Sequence, residues 1–317
     1  MSDSRIAIVV VTYNSEDVIG ACLRSIAETA RGMHASVTVV DNASTDATLS
    51  VIASEFPSVS IVASAHNLGF AAGNNLGARH SSGEYLLLLN PDTVVLPGSM
   101  ATLAAVLDQQ EGIWVAGPCL LDVDGNPAMS YGDQPTLRWA FSELTAARRF
   151  GLRSPLTIRG VPADGESAHD VGFVSGAATM IRRDAWERLG GMDEDYFLYF
   201  EETDLCARVR RFGGRVVLEP SARILHLEST SFSDRDLARR LRFYQGLLLF
   251  FAKNRSHVQA AVLRAAVLVE NSTYLSVGAL LGRWLPRVRA NRPTHRALVR
   301  LMMSRGVTSR AARELRS

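Results

Sequence analysis

Residues 6–11 (IAIVVV) are an unbroken apolar, β-branched run, the pattern of a strand buried on both faces. Thr12, Tyr13 and Asn14 close it, and Ser15 stands where it would cap a helix reaching about Ala30. Residues 37–40 predict a second buried strand that ends in Asp41-Asn42-Ala43-Ser44-Thr45-Asp46, with Thr45 or Asp46 as the cap of a helix from Ala47 to about Glu55. A third strand follows at 58–63, a helix at 71–81, and a fourth strand at 85–89 (YLLLL), stopped by Asn90-Pro91-Asp92. This β-α-β-α-β-α-β alternation predicts a parallel sheet covered by helices. After Trp114 the alternation loosens, and residues 122–170, rich in Gly, Pro and Asp, read as loop over the sheet edge. Order returns at 171–181, in a helix at 182–189, and in short strands at 216–218 and 224–227. From Leu237 the pattern is helical to the end.

Polar residues cluster just past the carboxyl ends of the strands, where open α/β sheets bind ligands. Strand one ends in Thr12-Tyr13-Asn14, strand two in Asp41-Asn42-Ala43-Ser44, and strand three leads into Asn67-Leu68-Gly69-Phe70-Ala71-Ala72-Gly73-Asn74-Asn75-Leu76-Gly77. The glycines allow close backbone approach, and a helix N-terminus offers amides to an anion. No G-x-G-x-x-G follows strand one, so the dinucleotide fingerprint is excluded. Each loop alone is an ordinary turn; three successive strand ends make a nucleotide-sized rim. Asp92 adds a hard oxygen ligand suited to Mg²⁺ or Mn²⁺, and His226 is either a second ligand or a structural strand histidine.

The segment YFLYFEETDLCAR, residues 196–208, sets five aromatic or large apolar side chains against Glu201, Glu202 and Asp204. Residues 196–200 read as buried, either strand-like or tightly turned, and Leu205, Val209 and Phe212 continue at helical spacing. Carboxylates at such a junction are desolvated and oriented for use as a base. The competing reading is an acidic first turn that complements the helix dipole.

Composition changes the picture mainly at the C-terminus. The chain of 317 residues carries a net charge of +2, yet residues 253–317 hold 13 basic and two acidic residues, a net +11 that leaves −9 for residues 1–252. An acidic body with a basic tail points to a polyanionic surface, nucleic acid or anionic lipid. In that tail Arg283, Arg287, Arg289, Arg292, Arg296 and Arg300 are interleaved with Trp284, Leu285, Val288, Leu298, Val299, Leu301 and Met302. The mixture suits the lipid headgroup region, or a helical hairpin packed on the catalytic domain or on a second subunit, as an oligomer formed through these helices. No window reads as a transmembrane helix, since residues 258–281 include Arg264, Glu270 and Asn271. The N-terminus lacks a basic region before its short apolar run, which predicts a cytosolic start. Cys22, Cys119 and Cys206 follow no metal spacing and read as free thiols.

The ordered set VVVTYN, VVDNASTDAT, NLGFAAGNNLG, YLLLLNPDT, SGAATMIRRDAWERLGGMDEDYFLYFEETDLCARV and ILHLESTS resembles family 2 glycosyltransferases of the GT-A fold, and is most similar to the bacterial rhamnosyltransferase branch. The resemblance covers about residues 5–252. It implies a Rossmann-like α/β nucleotide-binding catalytic domain at 1–252, with 253–317 as a basic, amphipathic helical extension. It places Thr12, Asn14 and Asp41 around base and ribose, Asn67 and Asn75 along nucleotide and diphosphate, and Gly176 and Ala177 where acceptor and donor sugar meet. Asp92 matches the metal-binding Asp of the family's D-x-D element and His226 its later metal-ligating His; Mg²⁺ or Mn²⁺ is the implied cofactor. Glu202 matches the catalytic base. Two departures stand out: Asn90 replaces the first Asp of D-x-D, and Glu replaces Asp at the base, so that Glu201 and Glu202 both remain eligible.

The expected activity is inverting transfer from a nucleotide-diphospho-sugar, dTDP-L-rhamnose first and UDP-N-acetylglucosamine or UDP-galactofuranose as rivals. The implied acceptor is a polyprenyl-diphosphate-linked sugar or cell-wall glycan, reached at the inner face of the membrane. A sugar-1-phosphate nucleotidyltransferase would need a Gly-rich basic loop where TYNSED stands, and a nucleic-acid-binding protein a positive body with base-stacking aromatics.

Overall fold

The computed structural model describes residues 4–144, 167–227, 237–281 and 292–303. In chain order its elements are β1 (Ile6–Thr12), α1 (Ile19–Thr29), β2 (Ala35–Asp41), α2 (Thr48–Glu55), β3 (Ser60–Ala63), α3 (Phe70–Arg79), β4 (Tyr85–Leu89), β5 (Thr93–Val95), α4 (Ser99–Gln109), β6 (Ile113–Leu121) and β7 (Tyr131–Gly132). There follow α5 (Leu137–Leu144), β8 (His169–Asp170), β9 (Phe173–Val174), β10 (Ala178–Arg182), α6 (Arg183–Leu189), α7 (Glu201–Arg211), β11 (Arg215–His226), α8 (Leu237–Asn254), α9 (His257–Leu281) and α10 (Arg292–Met303). Two compact units result. The first holds Met1–Gln134, Ile158–Phe197 and Glu201–Thr230; the second holds Pro135–Thr157, Leu198–Phe200 and Ser231–Ser317.

The described residues of the first unit build a nine-stranded sheet in the order β3-β2-β1-β4-β10-β6-β11-β5, with β8 alongside β11. From β3 to β4 the strands are parallel, as the alternation predicts. Beyond β4, where the alternation predicts no direction, β10 runs antiparallel to both β4 and β6, so the sheet as a whole is mixed. All seven residues of β1 are buried, because helices cover both faces. Ile6, Ile8 and Val10 pack with α1, α2 and α4 on one side; Ala7, Val9 and Val11 pack with α3, α6 and α7 on the other.

Local chemistry explains where the boundaries moved. Ser15 does not cap α1 with its side chain: Val18 occupies the cap position, and the Ser15 carbonyl accepts the amides of Val18 and Ile19. Asp46 does close the start of α2, its carboxylate accepting the Thr48 amide at 3.0 Å and hydroxyl at 2.6 Å. The pattern does not predict β5, α4 or the nine-residue β6, and the reading of 122–170 as loop is corrected by β7, α5 and β8, which lie within it. Gly117 and Pro118 interrupt the strand pattern of β6. Pro118 lies beyond Val115 and Ala116, the two residues that pair with β10, and faces Glu219 of β11 at the edge of the register shift. The two short strands expected at 216–218 and 224–227 are one strand, β11, with a register shift between Glu219 and Arg223. Tyr196 to Phe200 is a turn rather than a strand, and Phe212, expected to continue the buried face of α7, is 51% exposed just past its end. Cys22, Cys119 and Cys206 are buried free thiols, and burial pushes those of Cys22 and Cys206 up to about 12.

The second unit is helical. Phe250, Phe251 and Leu247 of α8, Leu263 and Val267 of α9, and Leu298 and Met302 of α10 are buried, with α10 packed along α9 and α8. Leu298, Leu301 and Met302 are therefore core residues of this unit, whereas Arg296 and Arg300 are exposed. Arg283, Trp284, Leu285, Arg287, Val288 and Arg289 lie outside the described residues.

Gly77 shows how tightly α3 lies on the sheet: an added Cβ would sit 2.4 Å from a γ-carbon of Val9 and 3.0 Å from one of Val40. In an open helix Gly→Ala gains up to about 1 kcal/mol. Against stiff β-branched strand residues overpacking costs about 1–3 kcal/mol and prevails. Gly77→Ala should lower Tm, and pairing it with Val9→Ala should give a loss smaller than the sum of the single variants. A higher Tm for Gly77→Ala in a thermal melt would refute this packing account.

Candidate active site

The carboxyl ends of β1, β2 and β4 form one edge. Thr12 and Asp41 are register partners there, both 1% exposed, and the Asn42 amide donates to the Thr12 carbonyl. The Asp41 carboxylate accepts the Ser44 amide on one oxygen at 3.1 Å. Its other oxygen and the Thr12 hydroxyl are buried without a hydrogen-bond partner among the described residues. Buried polar atoms are nearly always paired. Two adjacent exceptions at a strand edge are what a donor-and-acceptor ligand such as a nucleoside would satisfy.

The flanking loops lock together. The Asn14 amide donates to the Ser44 hydroxyl, and the Asn14 side-chain oxygen accepts the Thr45 amide at 2.8 Å. Asn14 and Ala43 both hold left-handed backbone, with φ of 50° and 65°. Asn tolerates that region, whereas for Ala it is strained. Asn67 accepts the Gly69 amide in a local turn, and Asn42, not singled out from sequence, donates to the Gly69 carbonyl. Gly69 combines a φ of 86° with a close approach, since a Cβ there would lie 2.5 Å from the Phe197 carbonyl oxygen. Asn75 is engaged elsewhere: its amide group donates to the Met192 carbonyl and to Glu194, and its oxygen accepts the Met192 amide. That ties α3 to the Gly190-Gly191 turn.

Asp92 and His226 come together. β11 pairs with β5 in the register His226↔Thr93, which brings His226 Nε2 to 3.1 Å from one Asp92 oxygen. The other Asp92 oxygen is buried without a partner. One nitrogen and one carboxylate donor at this spacing fit a divalent cation that takes its remaining ligands from a diphosphate and water. No cluster of three or more His, Cys, Asp or Glu occurs among the described residues.

Gly176 and Ala177 join this corner to the carboxylates. The Asn90 amide donates to the Ala177 carbonyl at 2.9 Å. A Cβ on Gly176 would meet the Phe70 ring at 3.5 Å and the Glu202 Cβ at 3.6 Å. Glu202 thus lies against the same wall as Asn90 and Asp92. Glu201 is 4% exposed with one carboxylate oxygen unpartnered, while Glu202 is half-buried and accepts a bond from the Thr203 hydroxyl. Burial, and then the Glu202 charge, hold the Glu201 carboxyl well above the usual range; burial alone raises that of Glu202. The third carboxylate of the run, Asp204, is structural, paired with Arg208 at 2.7 Å and accepting from Tyr196. Ahead of α7, Tyr199 and Phe200 both have φ of 71°. Such backbone costs about 1–3 kcal/mol per residue.

Unpaired polar atoms at the parallel strand ends, an Asp-His pair beside them and a desolvated carboxylate are groups that a transferase acting on a phosphorylated donor could use. The family model described as Glycosyl transferase family 2 matches residues 7–190, and the chain belongs to that family, in its GT-A fold. It is 30% identical over 280 residues to the N-acetylglucosaminyl-diphospho-decaprenol L-rhamnosyltransferase of Mycobacterium tuberculosis, covering 81% of this chain and 87% of that one. It is 24% identical to the dTDP-rhamnosyl transferase RfbF of Shigella flexneri, over 71% and 69% of the two chains. Among solved structures it is similar to the mannosyltransferase PcManGT of Pyrobaculum calidifontis in complex with GDP-Man and Mn²⁺ (TM-score 0.56, 20% identity, 94% and 86% covered). It is also similar to residues 1–349 of S. aureus TarS (TM-score 0.53, 16% identity, 93% and 90% covered).

The buried carboxylates make stability depend on pH. Folding raises the Glu201 carboxyl above its unfolded value of about 4.3, so its contribution favours the fold below that value and is lost as pH rises through the folded one. Glu201→Gln stays neutral in the same shape. Its Tm should match the parent at about pH 4 and exceed it at about pH 8. Should the variant melt lower than the parent at the alkaline pH, the Glu201 carboxylate must be gaining a partner on ionisation.

Proposed function

We propose that this glycosyltransferase moves L-rhamnose from dTDP-L-rhamnose to a sugar carried on a polyprenyl diphosphate, with inversion at C1. The observation that carries the reading is the similarity, over more than four-fifths of both chains, to a relative named for rhamnosyl transfer to N-acetylglucosaminyl-diphospho-decaprenol. Thr12 and Asp41 offer an acceptor-rich pocket to the base and ribose, steadied by Asn14 and Ser44. Asp92 and His226 would hold Mg²⁺ or Mn²⁺, which when bound neutralises charge on the leaving diphosphate. Glu202, against Gly176, takes the proton of the acceptor hydroxyl as that oxygen attacks C1; its raised pKa brings it toward the working pH. Glu201, deeper and still less willing to ionise, keeps the pair from carrying two charges.

Labelled dTDP-L-rhamnose, UDP-N-acetylglucosamine and UDP-galactofuranose, each offered with a short-chain N-acetylglucosaminyl-diphospho-prenol, test the donor: sugar transfer should occur with the first alone. Glu202→Gln should lower kcat by roughly 10²–10⁴-fold. It should leave Mn²⁺-dependent dTDP binding, read by titration calorimetry, unchanged. Asp92→Ala and His226→Ala should show the reverse priority, weakening that binding directly. Full dTDP affinity in excess EDTA would remove the cation from the reading, and an active Glu202→Gln beside a dead Glu201→Gln would move the base by one residue.

A lipid-borne acceptor also asks the enzyme to work at the cytoplasmic face of a membrane. No described helix is long and apolar enough to cross one, and Leu298, Leu301 and Met302 are buried within the helical unit. Attraction therefore rests on exposed guanidinium groups such as Arg296 and Arg300 meeting lipid phosphates. Surface charge is screened within about 10 Å at 0.1 M salt. Sedimentation with anionic but not neutral vesicles, released by raised salt, is the expected result; indifference to vesicle charge at low salt excludes the membrane role.

A further inference from the structure

The aromatic turn ahead of the carboxylates is held at two carbonyls, two residues apart. In the first unit the Phe197 carbonyl accepts the Phe70 amide at 2.8 Å and lies in the space left by Gly69. In the second unit the Tyr199 carbonyl fills the space left by Gly246: a Cβ there would be 2.5 Å from that oxygen, 3.0 Å from a Phe200 ring carbon and 3.2 Å from the Tyr199 carbonyl carbon. Gly246 sits mid-way along the 18-residue α8, among Tyr244, Leu247, Leu248 and Phe250. Glycine weakens a helix interior, so a close approach is the physical reason for one there. The rings complete the hold. Phe200 packs edge-on to Phe243 at 5.1 Å and tilted to Phe250 at 6.2 Å, and Tyr199 lies edge-on to Phe243 at 6.2 Å.

What this contact holds is the pair of consecutive left-handed aromatic residues, Tyr199 and Phe200. Bulky side chains do not adopt that backbone unless their surroundings impose it. The very next residues are Glu201 and Glu202, the first turn of α7. A helix that begins one residue after a forced turn takes its starting point from that turn.

We infer that Gly246 and Phe243 of α8 are positioning residues for the Glu201–Glu202 carboxylates, acting through the backbone of Tyr199 and Phe200. The inference rests on the reading of Glu202 as base and adds what sets its place. Relaxing the hold should let the first turn of α7 shift while the nucleotide pocket, built on β1, β2 and their loops, stays intact. A misplacement near 1 Å costs up to about 10²-fold in rate.

In the full-length chain, Gly246→Ala and the milder Phe243→Leu should each lower kcat for rhamnosyl transfer by about 10–100-fold. The KM for dTDP-L-rhamnose and the Mn²⁺-dependent Kd of dTDP should stay within about twofold of the parent. Folded variants with parental kcat overturn the inference. So does a fall in kcat matched by a loss of dTDP affinity, which marks general loosening, and so does failure of both variants to fold, which makes the contact a folding requirement. Glu202→Gln assayed alongside separates the two levels. If it stays active, the base reading fails; if it is dead while both α8 variants match the parent, only the positioning role fails.

Discussion

The site depends on one reversal of strand direction. Because β10 runs against β4, the start of one strand is held at the end of the other: Ala178 pairs with Leu89, and the Ala177 carbonyl receives the Asn90 amide. In an all-parallel sheet every strand would begin at the far edge, and Gly176 would lie a full strand length from Asp92. The reversal brings the Gly176 corner, and through it Glu202, to the edge where β1 and β2 present Thr12 and Asp41. The antiparallel pairing of β11 with β5 does the same for His226. The residues proposed for nucleotide, cation and base therefore share one edge though they are drawn from residues 12 to 226.

Electrostatics then divides three neighbouring carboxylates into different roles. Asp204 has Arg208 and anchors α7 to the Leu189 and Gly191 carbonyls through that same guanidinium. Among the described residues no cationic side chain hydrogen-bonds Glu201 or Glu202, and burial opposes their ionisation. A carboxyl whose pKa is raised by burial is a poor structural ion and a stronger proton acceptor once ionised.

Much of this was legible in the sequence, for identifiable reasons. Strands buried on both faces leave continuous apolar runs, so β1, β2 and β4 declared themselves, and the polar residues that stop them marked the ligand edge. The resemblance paired Asp92 with His226, a contact that spacing alone does not supply, and they lie 3.1 Å apart. The misses have equally physical causes. Gly117 and Pro118 disguise β6, and Pro220 splits the pattern of β11 in two. Strand direction leaves no periodic trace, so the reversal at β10 has no sign in residues 171–181. Asn75 was read from its place in a glycine-rich loop, where nothing local shows that Met192 and Glu194 occupy its side chain. Left-handed backbone at Tyr199 and Phe200 carries no compositional mark, since such positions ordinarily advertise themselves with glycine or asparagine.

The register shift in β11 has a consequence for which changes in chain length the fold tolerates. Glu219 faces Pro118 and Arg223 faces Cys119, so four steps along β11 are matched by a single step of β6. The excess loops out around Ser221, whose amide and hydroxyl both donate to Glu219, and the strand is caught again where Ser99 bonds the Arg223 backbone. Side chains alternate sides along a strand. Because Arg223 is fixed again against Cys119 and Ser99, the side that His226 faces is counted from Arg223, and the looped-out residues drop out of that count. A residue lost or gained before Arg223 falls in the loop and leaves His226 facing Asp92, whereas one lost or gained between Arg223 and His226 would turn it to the other side. Constant length from Arg223 to His226, more than the length of the loop before it, is what the Asp92–His226 contact requires of this stretch.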